Sequence, residues 1–184
     1  ILGDDAARAV TDYAMDRFRA WYEDQGVPVA VLQAVIATGV TCPAEVDQRV
    51  VALQSFVGTD AAIALAAANK RVANILAKSD AMPTGKPDPD LFEEPAEQHL
   101  HNSLTAIEDS VVAAIKERRF GEALAQLATL QIPVDTFFEQ VMVNSENAAV
   151  RDNRHELLAA LRNVFTGVAD FALLGGTLTP PEHG

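Results

Sequence analysis

Apolar residues recur every three or four positions along nearly the whole chain, and no stretch alternates cleanly from one residue to the next. That period belongs to helices that bury one face, and it excludes the two-residue period of a half-buried strand. The clearest case is Leu100, Leu104, Ile107, Val111 and Ile115, followed by Lys116, Arg118 and Arg119, where cations favour a helix C-terminus. Val46, Val50, Leu53 and Phe56 make a second stripe, opened by Pro43 and closed by Gly58. Thr59 is placed to cap an alanine-rich helix from Asp60 to about Lys78. Further helices are expected from Asp4 to Gly26, Val29 to Thr38, Gly121 to Leu130, from Pro133 onward, and from Ala148 to Leu174. The pattern predicts an all-α helical bundle of about seven or eight helices.

Residues 79–94 break the pattern, because Pro83, Gly85, Pro87 and Pro89 forbid a continuous helix. They read as a linker or long surface loop. This divides the chain into an N-terminal helical subdomain (1–78), a C-terminal helical part (95–174) and a tail expected to be flexible (175–184).

Charge bears on what the bundle can bind. The 184 residues hold 26 Asp and Glu against 14 Lys and Arg, a net charge of −12. Such a chain is repelled by phosphate at long range, so nucleic acid is an unexpected partner unless the few basic residues cluster. Cys42 is the one cysteine, which excludes an internal disulfide and any multi-cysteine metal site. It reads as a small buried hydrophobe. No apolar run approaches the roughly 20 residues of a membrane span, so no membrane partner and a cytoplasmic location are expected. The sequence opens Ile1-Leu2-Gly3 without an initiator Met, which suggests a piece of something longer.

Catalytic patterns are missing. The glycines are scattered helix stops and form no phosphate loop. His99 and His101, two apart on a helix, point about 200° away from each other, unlike an i, i+4 pair that grips zinc. No catalytic residue, metal ligand or cofactor is expected within this chain.

Two basic clusters stand out. Lys70, Arg71, Asn74 and Lys78 fall on one polar edge of a helix, with no acidic neighbour before Asp80. Arg151, Asn153 and Arg154 form the second, with Arg162 two turns on. Guanidinium forks and amides at this spacing suit phosphates and exposed base edges. They equally suit ion pairs with the abundant carboxylates.

The string ANKRVANILAK (68–78) resembles a signature of the β subunit of bacterial glycyl-tRNA synthetases, as do VDTFFEQVMV (134–143), VRDNRHELL (150–158) and VADF (168–171). DRFRAWY (16–22) and QAVI (33–36) are similar to the same family, and the order is kept across nearly the whole chain. The resemblance implies the C-terminal part of that subunit, a DALR-like helical domain that binds the anticodon. It further implies tRNA(Gly) as partner and contact with the rest of the β subunit and with a separate α subunit, in a tetramer of two α and two β chains. ATP and Mg²⁺ would serve the complete enzyme, whose adenylate-forming centre lies in the α subunit. On that reading Lys70, Arg71, Asn74, Lys78, Arg151, Asn153 and Arg154 are the candidate tRNA contacts. The alternative is a helical protein-interaction module that docks onto a larger assembly.

Overall fold

The computed structural model describes residues 17, 19–79, 83, 85–175 and 178. The helix expected from Asp4 lies largely outside the described residues; its last part, residues 19–24, is helical. Of the expected tail, only Gly175 and Leu178 are described.

Local chemistry sets where each helix begins. Pro28 precedes α1 (Val29–Ile36), and Pro43 occupies the first turn of α2 (Pro43–Val57), where its missing N–H costs nothing. Cys42, at the N-cap of α2, is exposed and not buried as expected, because the cap residue sits outside the buried stripe of Val46, Val50 and Leu53. The Thr59 hydroxyl accepts the Ala62 N–H at 3.2 Å and caps α3 (Asp60–Leu76). Within the 79–94 segment, Asp88 caps a short 3₁₀ turn, Pro89–Leu91. The remaining helices are α4 (Pro95–Lys116), α5 (Phe120–Ala128), α6 (Gln131–Gln140) and α7 (Ala148–Thr166). No strand occurs among the described residues.

One apolar core joins both sides of residues 79–94. α3 packs against α7, α6 and α2, while α4 packs against α5, α6 and α7. Alanines 62, 66 and 68 on α3 are buried, and their small side chains let neighbouring backbones come close. Gly175 shows how close: a Cβ there would lie 2.9 Å from Lys70 Cβ and 3.0 Å from the Ala66 carbonyl oxygen.

The last helix ends earlier than its periodicity predicts. The apolar stripe continues to Phe171 and Leu174, but α7 stops at Thr166 and a 3₁₀ turn, Phe171–Leu173, follows. A distant arginine provides the reason. Arg49 of α2 donates from Nη1 to the carbonyls of Gly167 at 2.7 Å and Val168 at 2.8 Å, satisfying acceptors a helix end leaves open. Its guanidinium is held by Glu45 at 2.7 Å and lies 4.7 Å from the centre of the Phe120 ring. The chain then turns back: the Asp170 N–H donates to the Ala34 carbonyl at 2.8 Å, and Phe171 packs edge-on against Phe56 and Phe165.

Candidate nucleic-acid interface

The two basic clusters meet different fates. On α3, Lys70, Arg71 and Asn74 are exposed, as is Lys78 just past the helix end. Their high-propensity, alanine-rich helix keeps them on one edge, opposite buried Leu65 and Val72. All four line a single cleft of about 460 Å³, together with Asn144 from the α6–α7 connection and His155 of α7. Among the described residues, no carboxylate lines it. Arg71 lies with its guanidinium 4.2 Å from the centre of the Phe138 ring, which orients the planar group while leaving it exposed. Lys70 Nζ donates to the Gly175 carbonyl at 2.9 Å and retains donors for a further acceptor.

The cluster on α7 is mostly consumed by the fold. Arg154 is 4% exposed and Glu97 of α4 is 0% exposed, and they form a two-point fork: Nε to Oε1 at 2.9 Å and Nη2 to Oε2 at 3.0 Å. Arg154 Nη1 also donates to the Met142 carbonyl at 3.0 Å, and Nη2 reaches Glu93 at 3.2 Å. The Glu97 carboxylate additionally accepts the N–H groups of Glu93 at 3.0 Å and Glu94 at 2.9 Å, closing the N-terminus of α4. Burial pushes this carboxyl upward, yet the Arg154 fork and the two backbone donors outweigh it and hold its pKa below the ordinary value. Asn153, 5% exposed, clamps the segment before the 3₁₀ turn: Oδ1 accepts the Asp88 N–H at 2.7 Å and Nδ2 donates to the Asp88 carbonyl at 2.9 Å. Asn153 and Arg154 thus spend their polar groups within the fold, on Asp88, Glu93, Glu97 and the Met142 carbonyl. Arg151 is half-buried, donating to the Ser145 carbonyl at 3.3 Å with Asp152 at 3.8 Å. It lies outside the cleft lining.

Asn144 and His155 were missed as site residues. They join the cleft only through the packing of α7 on α3, and no spacing within the sequence signals that. A larger hollow, about 690 Å³, sits beside Trp21 and the start of α2, but it mixes Arg17 with Asp24 and Asp47 and so has no single sign of charge. Among the described residues, no group of three or more His, Cys, Asp or Glu side chains converges as a metal would require. Nor is any single helix among them long and apolar enough to cross a membrane.

The chain is similar to proteins named "Glycine--tRNA ligase beta subunit". It is 50% identical to that of Hahella chejuensis over 90% of this chain and 24% of that protein. It is 51% identical to that of Pseudomonas aeruginosa over 92% and 25%, and 46% identical to that of Actinobacillus pleuropneumoniae over 90% and 24%. The chain thus spans about a quarter of the length of these relatives. A family model described as "DALR anticodon binding domain" matches residues 65–177, a range that opens inside α3 and takes in every residue of the basic cleft from Ala67 to His155. On that match, the chain belongs to the DALR anticodon-binding domain family.

Proposed function

We propose that the chain is the anticodon-binding module of a glycine–tRNA ligase β subunit, and that the cleft along α3 is where the tRNA(Gly) anticodon loop is held. One observation carries the reading: in a chain of net charge −12, Lys70, Arg71 and Lys78 gather with Asn74 around one cleft that no carboxylate lines among the described residues. The cations would neutralise phosphates, which position the RNA, and the amides would meet base edges, which specify it. Glycine anticodons share two cytosines, so the site has to present groups complementary to cytosine edges.

The module performs no bond chemistry in this reading. It contributes binding energy that aligns the acceptor end of the tRNA elsewhere in the enzyme. ATP and Mg²⁺ would act in the remainder of the synthetase, with the α subunit, in an assembly of two α and two β chains. Among the described residues of this chain, no group of ligating side chains converges that would hold the Mg²⁺.

The test is titration of the chain with a labelled anticodon stem-loop carrying a glycine anticodon, across a range of salt. Lys70→Ala with Lys78→Ala should weaken binding and flatten the log–log salt dependence by roughly 1.4, at about 0.7 per phosphate contact for single-stranded RNA. The core should be unaffected, since neither side chain is buried and the one bond lost is that of Lys70 to the Gly175 carbonyl. Unchanged affinity and slope would remove the cleft from RNA binding.

A further inference from the structure

Arg71 is held by a ring and not by a carboxylate. Arg49, Arg118, Arg119, Arg151, Arg154 and Arg162 each have a carboxylate oxygen within 3.9 Å. Arg71 has none among the described residues; its Cζ lies 4.2 Å from the centre of the Phe138 ring. That ring is itself fixed. Phe138 is half-buried at the margin of the core and meets Phe137, which is fully buried, edge-on at 5.4 Å. The packing of α3 on α6 therefore gives a long surface side chain a defined orientation.

Arg49 makes the informative contrast. It too lies over a ring, that of Phe120, but it is buried and its donors are taken by Glu45 and the Gly167 and Val168 carbonyls. Arg71 is exposed and lines the basic cleft. A guanidinium is planar and has two faces. Phe138 covers one, and the exposure of Arg71 at the cleft wall leaves the other free. A free, oriented guanidinium plane is a surface on which an unstacked nucleobase can lie, and a lysine ammonium offers no such plane. We propose that Arg71, backed by Phe138, is a stacking platform for one unstacked base of the bound RNA, while Lys70 and Lys78 meet its phosphates. The proposal rests on the cleft being the RNA site. Phe138 is then a positioning residue, acting on the RNA only through the plane of Arg71.

The test pairs changes in the protein with changes in the RNA. The panel is the glycine anticodon stem-loop with each loop position in turn stripped of its base or given a different one. With the parent chain, removing the base at one position should weaken binding about fivefold or more, the usual scale of one stacked base. Exchanging that base for another should cost less, since every base has a face to stack. Arg71→Lys keeps the charge and deletes the plane, at an exposed position that the core does not use. It should bind the intact loop about as the parent binds the stripped one, with no further loss on stripping and an unchanged salt slope. Phe138→Leu should give a smaller loss confined to the same position, and Phe138→Tyr, which keeps the ring, should restore binding. Should the leucine variant misfold, Arg71→Lys carries the test alone. If Arg71→Lys suffers the same loss as the parent at every stripped position, the platform is overturned; so it is if exchange costs as much as removal. In either event, loss of binding by Lys70→Ala with Lys78→Ala would leave the cleft reading standing. If the double lysine variant also binds as the parent does, the cleft reading and this proposal fall together.

Discussion

The edge of α3 and the first turn of α7 each gather basic side chains with an asparagine, yet one faces solvent and the other is largely locked inside. Lys70, Arg71, Asn74 and Lys78 meet no carboxylate in their cleft among the described residues. Arg154 meets Glu97, 57 positions earlier in the sequence, and Asn153 meets the backbone of Asp88, 65 positions earlier. Neither partner lies on α7 itself, so the difference arises from what the tertiary fold brings within reach. A basic cluster stays exposed where packing takes up few of its donors, as with Lys70, whose bond to the Gly175 carbonyl leaves others to spare.

That contrast can be broken most forcefully at Arg154. Arg154→Ala should cost about 3–5 kcal/mol in chemical denaturation, because it strands the Glu97 charge in the core. Replacing both partners with Met and Leu should recover most of this, since no lone charge remains. If Arg154→Ala kept its stability and lost RNA binding, the two clusters would be alike after all. Asn153→Ala should cost less, about 1–3 kcal/mol, by leaving the Asp88 N–H and carbonyl without their partners. Its RNA affinity, measured on the folded fraction, should match the parent.

Acid sharpens the same comparison. Glu97 has a depressed pKa in the fold, so its contribution to stability is complete above the ordinary carboxylate value of 4.5 and is lost as pH falls through the depressed one. His155 is also depressed, but as a base: the unfolded chain takes up its proton first, so stability declines as pH drops below 6.5. Denaturation midpoints should therefore fall in two stages. His155→Leu should erase the upper stage and the Arg154–Glu97 replacement the lower. No stage should respond to changes at Lys70 or Lys78.

Much of the fold was readable from the sequence because it is local. The stripe from Leu100 to Ile115 specifies α4, and Pro43, Gly58 and Thr59 mark the limits of α2 and the start of α3. The exposure of the α3 edge also follows from its own helix, where the carboxylate of Asp60 lies more than two turns before Lys70. What escaped was the long-range chemistry. The apolar stripe of α7 runs past Thr166, and the Arg49 guanidinium, over 100 positions away, takes up the carbonyls that the helix leaves open after its Gly167 cap. Arg154 and Asn153 looked accessible because their partners lie on another element. His155 went unnoticed since the cleft exists only once α7 has packed on α3.

The Arg49 contact also bears on the order in which the protein is made. Arg49 donates to carbonyls 118 and 119 residues further along the chain, so during synthesis its guanidinium leaves the ribosome long before its acceptors exist. At about 5–20 residues per second, that interval lasts roughly 6–24 s. Over this time Glu45 is the one charged partner α2 can offer it from within the helix. The first helices thus wait on the last, and the nascent chain completes its burial of this cation only when residues 167–168 arrive.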